Sequence, residues 1–104
     1  MFKLEIYIPE SHLKDLQRAL QSTKAGRIGD YDSCMAYSRV KGTWRPLEGA
    51  NPYIGEVGVI CEADELKVEV NVDKDNLSQT IQAIKEIHPY EEPLINVISL
   101  YSEY

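Results

Sequence analysis

Cysteine is scarce in this sequence: Cys34 and Cys61 are the only two in 104 residues, and they form no CxxC pair. With no disulfide framework or zinc motif to lean on, the fold must rest on an apolar core, and both thiols are expected free. Basic charge is also short. Eleven Lys and Arg face seventeen Asp and Glu, for a formal net charge of −6. That balance excludes a nucleic-acid binder, which needs a basic face for phosphates, and it disfavours an anionic membrane surface. No apolar run approaches the roughly 18 residues of a membrane-spanning helix. The opening MFKLEIYIPE alternates apolar residues with charges and leads into no signal-peptide core, so a cytoplasmic location is expected. Histidine is limited to His12 and His88. With both at expected helix ends, no Ser-His-Asp arrangement can be assembled.

What is present suits one globular domain over residues 1–104, with hydrophobic residues at 43%. Phe2, Leu4, Ile6 and Ile8 alternate with polar positions, the period of a half-buried strand that Pro9 ends. Ser11 is the expected N-cap of a helix to about Lys24, with Gly26 as its C′ glycine. Tyr31 to Lys41 predicts a second strand. The punctuated GTWRPLEGANPYIGEVG reads as a long loop. Leu66, Val68, Val70 and Val72 mark a third strand, which Val57 to Cys61 is expected to extend upstream through a bulge near Ala63–Asp64. Asp73 or Asp75 caps a second helix with Leu77, Ile81, Ile84 and Ile87 as its stripe, stopped by Pro89. Leu94 to Tyr101 is the last strand. The order β-α-β-β-α-β predicts an α+β, ferredoxin-like sandwich: an antiparallel sheet with two helices on one face. Right-handed crossovers then put the first and third strands at the centre.

The densest chemistry is HPYEEP, residues 88–93. At the C-terminal end of a helix, His88 is expected to favour its protonated form. In an extended stretch His88, Tyr90 and Glu92 point one way and Glu91 the other. His88, Tyr90, Glu91 and Glu92 are therefore candidate ligands for a divalent cation or small molecule, with Cys34 and Glu65 as candidates to complete the set from another strand or subunit. Two ligands alone do not make a metal site. The competing reading is a stiff helix-to-strand connection. The loop offers Trp44 and Tyr53 for stacking, Arg45 as a donor fork, and Pro46, Asn51, Pro52 and Gly55 as the frame around them. It either lines a ligand cleft or seals a subunit interface through Trp44. His12 is expected on the solvated side of the first helix, and Cys34 reads as a small core residue rather than a nucleophile.

GRIGDYDSC, WRPLEGANPYIG and AIKEIHPYEEP, in this order over nearly the whole chain, resemble the inserted domain of the NGG-interacting-factor family, the dinuclear metal centre proteins. Trp44 stands where that pattern has phenylalanine. The resemblance implies a stand-alone CutA- or PII-like domain: a homo-oligomer, a trimer before a dimer, with ligands or cations at subunit clefts. It also implies that the family's dinuclear site lies in flanking domains, so the hydrolase-like labels are not expected to carry over. The expected function is a non-enzymatic binding or regulatory module for a divalent cation or small ligand. The alternative is a structural or protein-interaction domain whose HPYEEP and long loop serve the oligomer interface. An enzyme using a His-Glu acid-base pair lacks a complete catalytic set.

Overall fold

Four even-numbered apolar side chains of the first strand need one partner layer, and the fold supplies it. In the computed structural model, which describes residues 1–101, β1 (Phe2–Ile8) buries Leu4, Ile6 and Ile8 completely. Two helices cover that face: α1 (Leu13–Ser22) and α2 (Lys74–Ile87). The sheet is completed by β2 (Met35–Trp44), β3 (Cys61–Val72) and β4 (Ile95–Ser99), in the order β2-β3-β1-β4 with every neighbour antiparallel. The strands β1 and β3 are central, as right-handed crossovers require. The core joins Leu4, Ile6 and Ile8 to Leu66, Val68, Val70 and Val72 and, from the helices, to Leu16, Leu20 and Ile84. No helix among the described residues is long and apolar enough to cross a membrane.

Several boundaries differ from expectation, each for a local reason. The second strand starts at Met35, not Tyr31. Ile28 and Tyr31 exchange backbone hydrogen bonds of 2.9 and 3.0 Å, closing a tight turn. Gly26 then donates to Asn71 O and accepts from Cys34 N. A Cβ at Gly26 would lie 3.0 Å from Cys34 O and 3.1 Å from Val70 Cγ2, and its φ of +75° suits glycine. At its other end β2 runs on to Trp44. Its register with β3 is unbroken from Met35↔Val70 to Trp44↔Cys61, so there is no bulge at Ala63–Asp64. Residues 57–60 form a turn and a bend rather than an upstream extension of β3. The last strand is Ile95–Ser99, shorter than Leu94–Tyr101.

The helix caps also differ. Ser11 lies in a short 3-10 turn (Glu10–His12), and its hydroxyl pairs with His12 Nδ1 instead of capping α1. The C′ residue of α1 is Lys24, not Gly26. Lys24 has φ of 64°, its N–H reaches Gln21 O, and Ala25 N–H reaches Leu20 O. This is the paired closure of a Schellman motif, with the buried Ala25 as its apolar contact. Asp73 precedes α2 as expected, without a side-chain capping bond.

Candidate functional site

The site is built where the β2–β3 hairpin extends past the ends of β1 and β4. Residues directly opposite across a strand pair share a face, and alternate residues switch faces. Leu66, Val68 and Val70 face the helices, so Glu65 faces away from them. The pairs Val40↔Glu65, Gly42↔Ala63 and Trp44↔Cys61 lie on that same helix-free face, as does Tyr7 of β1.

HPYEEP is fastened over this region at both ends, on one residue. α2 stops at His88, whose backbone is extended (φ −73°, ψ 131°) because the following proline disfavours the helical region. His88 Nε2 lies 2.6 Å from Tyr7 O, and its Nδ1 accepts the Tyr90 N–H at 3.2 Å. The bonding pattern assigns the neutral tautomer with the proton on Nε2. At the other end Leu94 O accepts the Tyr7 N–H at 3.3 Å. The His88 side chain is buried. Burial holds its pKa below the usual 6.5, outweighing the opposing pull of the Tyr7 carbonyl, and the His12 charge adds in the same direction as burial. The expected dipole-stabilised imidazolium is thus corrected: a C-terminal dipole contributes tenths of a kcal/mol to about 1 kcal/mol, and desolvation exceeds it.

Tyr90 turns its ring onto the loop. Its centroid lies 5.7 Å from Trp44, 6.0 Å from Tyr53 and 5.0 Å from His88. Its hydroxyl is buried and makes no hydrogen bond of good geometry, although the Glu65 carboxylate lies beside it. Burial first, and that neighbouring carboxylate second, raise the phenol well above its usual range. The loop is closed by Gly58 N–H to Pro46 O, 2.8 Å, and by Trp44 Nε1 donating to Ile54 O, 3.0 Å. It is tied to HPYEEP by Asn51 N–H donating to Glu91 Oε1, 3.1 Å.

Between these parts lies a cavity of about 640 Å³. Of the candidates, Glu65, Tyr90, Glu91 and Glu92 line it, with Trp44, Arg45, Pro46, Pro52 and Tyr53 from the loop. Gly55 backs Trp44, 3.4 Å from its Nε1 as judged from a Cβ there. His88 stands behind Tyr90 rather than in the wall. Cys34 is not brought in: it precedes β2 at the end opposite Trp44, roughly 30 Å along the strand at ~3.3 Å per residue. Its thiol points to Asp32 O at 3.6 Å, and both cysteines are free. Tyr7, Val40, Gly42, Leu47 and Leu94 also line the cavity and were not singled out from sequence. For Tyr7, Val40 and Gly42 the signal was the alternation of β1 and β2, which places them on the helix-free face only once the register is known; Leu47 and Leu94 lie outside the strands and carried no such signal. His12, expected to be solvated, is half-buried with its ring edge-on to Tyr53 at 6.3 Å.

The fit to a divalent cation is poor within one chain. Both His88 nitrogens are engaged, and among the described residues no three His, Cys, Asp or Glu side chains converge. The cavity instead offers rings, prolines and aliphatic groups with few polar atoms.

No family model matches the chain. It is 36% identical over 103 residues to the GTP cyclohydrolase 1 type 2 homolog of Halalkalibacterium halodurans, covering 99% of this chain and 28% of that protein. It is 38% identical over 90 residues to the Bacillus subtilis protein of the same name, covering 86% and 24%. The chain therefore spans about a quarter of the length of these relatives. Among solved structures, the Bacillus cereus protein related to NIF3 superposes with a TM-score of 0.84 at 29% identity, over 97% of this chain and 26% of that one. The PII-like protein CutA from Nostoc gives a TM-score of 0.71 at 20% identity, over 97% and 82%, a likeness of fold.

Proposed function

We propose that this homologue of the CutA/PII-like domain of NIF3-related proteins works as a single binding domain, taking a small organic ligand in the cavity between HPYEEP and the Trp44 loop. One observation carries this reading: two segments 40 residues apart in sequence, joined by the Asn51–Glu91 bond, enclose about 640 Å³ of largely apolar space. That volume lies within the roughly 300–1,000 Å³ of small-molecule sites, and four aromatic side chains with a few carboxylates match their composition. The reading is binding without turnover. The activity in the relatives' names belongs to proteins of which this chain matches about a quarter.

Trp44 is the chain's one tryptophan and stands in the cavity wall, so its emission reports occupancy. The test is a screen of small organic compounds by Trp44 fluorescence and thermal shift. A ligand that shifts emission saturably and raises Tm, with both effects lost in Tyr90→Ala, is the expected result. If no compound at millimolar concentration does either, the reading fails.

The alternative reading has its own observation. β2 and β4 are open sheet edges, and Tyr37, Val57, Val59 and Ile60 are large apolar residues left exposed beside or near β2. Open edges with apolar neighbours favour pairing with another copy. A homo-oligomer seen by native mass spectrometry supports this reading, and a monomer at every concentration overturns it.

A further inference from the structure

Glu65 is the anomaly of the cavity. It is 7% exposed, lines the space, and has no cationic partner among the described residues; the Tyr90 hydroxyl beside it is its nearest polar neighbour. Its neighbours on the same sheet face are all matched. Lys3 pairs with Glu69 and reaches Glu5 at 3.5 Å, and Lys67 reaches Glu5 at 3.4 Å. Lys41, which also lines the cavity, is engaged with Asp64 at 2.6 Å. Arg45 is exposed, and the carboxylates of Glu91 and Glu92 outnumber it. The strand makes deliberate room for Glu65: a Cβ at Gly42 would fall on the Glu65 Oε1. A buried carboxylate without a counter-charge is costly, so a site that retains one is complementary to a cation brought from outside.

We infer that the cavity takes an organic cation, an ammonium group carried on a small apolar or aromatic body, with Glu65 as its counter-charge and Trp44, Tyr53 and Tyr90 as its walls. The inference rests on the binding reading above and narrows its ligand class. The walls suit the body by apolar contact and the ammonium by the negative faces of the rings. A bare metal ion is a poorer occupant, since it would meet one carboxylate and mostly apolar lining. An anion would meet Glu65 itself.

The experiment is isothermal titration of the full chain with three probes of matched shape: phenethylamine, phenethyl alcohol and hydrocinnamate. Phenethylamine is expected to bind about tenfold tighter than the alcohol or better, with hydrocinnamate weakest. Glu65→Gln is expected to erase the gap between amine and alcohol, chiefly by weakening the amine. Gly42→Ala, which displaces the carboxylate without removing it, is expected to do the same and serves if Glu65→Gln does not fold. Equal or tighter binding of the alcohol or hydrocinnamate overturns the cation, as does a gap that survives both variants. Binding of none of the three overturns it as well. A neutral or anionic ligand found by the fluorescence screen would then leave the binding reading standing without it.

Discussion

Replacing His88 with alanine separates a ligand from a fastener. In the structure the imidazole donates to Tyr7 O at 2.6 Å and accepts from Tyr90 N at 3.2 Å. Truncation removes both bonds, about 1 kcal/mol each, and leaves a carbonyl and an N–H short of a partner in a place with little access for water. Loss of the buried ring adds packing, for a total of about 3 kcal/mol. At roughly 4–8 °C per kcal/mol for a domain near 100 residues, Tm should fall by about 15 °C. Calorimetry or circular dichroism measures the fall. Hydrogen exchange locates it: the Tyr7 amide, bonded to Leu94 O, and the Tyr90 amide should lose protection first. A drop of only about 1 kcal/mol, with those amides still protected and a metal-binding signal lost, would refute the reasoning and restore His88 as a ligand.

Three further outcomes are expected. Because the His88 pKa is held below 6.5, the unfolded chain binds the proton more readily, so stability should be complete above about pH 6.5 and decline as pH falls through the lower folded value; urea titrations at several pH values should show this decline in the parent and lose the His88 share of it in His88→Ala. Tyr90→Phe removes a buried hydroxyl that has no partner and should raise stability by about 0.5–1 kcal/mol in urea denaturation, whereas a loss of that size would mean the hydroxyl is bonded to Glu65. Lys24→Gly relieves a left-handed residue at the end of α1 and should raise stability by up to about 1 kcal/mol, read as a higher Tm; an unchanged or lower Tm would discount that strain.

The sequence carried the element order because burial in this fold is one-sided. Alternation in Phe2–Ile8 and Leu66–Val72, and the stripe through Ile84, each report contact with a single core. It carried less where long-range pairing decides. Tyr31–Ser33 look like strand by composition, but the Ile28–Tyr31 bridge and the Gly26–Cys34 bond withhold them from the sheet. Gly26 drew the C′ assignment because glycine is the usual residue there, while the left-handed turn fell two residues earlier on Lys24. For the candidate site, HPYEEP and the Trp44 loop were each visible as dense segments. Their meeting was not, since it depends on the Trp44↔Cys61 register and the Asn51–Glu91 bond. Glu65 could be named as a candidate, but not as the buried partner of an absent side chain at Gly42. His88 was misjudged because a sequence shows which helix end a residue occupies and not whether water reaches it.

The double fastening on Tyr7 also fixes when the cavity can exist. Its anchor lies in β1, and the bonds it awaits come from His88 and Leu94, far later in the chain; the first of these spans 81 positions. While the chain emerges, β2 and β3 can pair locally and bring Glu65 beside Gly42, but the Tyr90 wall has no hold. Contacts of such wide separation carry a large loop-closure entropy, which slows their formation. The space for a ligand therefore hangs on a long-range contact: without the hold on Tyr7, Trp44 and its apolar neighbours have no Tyr90 wall over them.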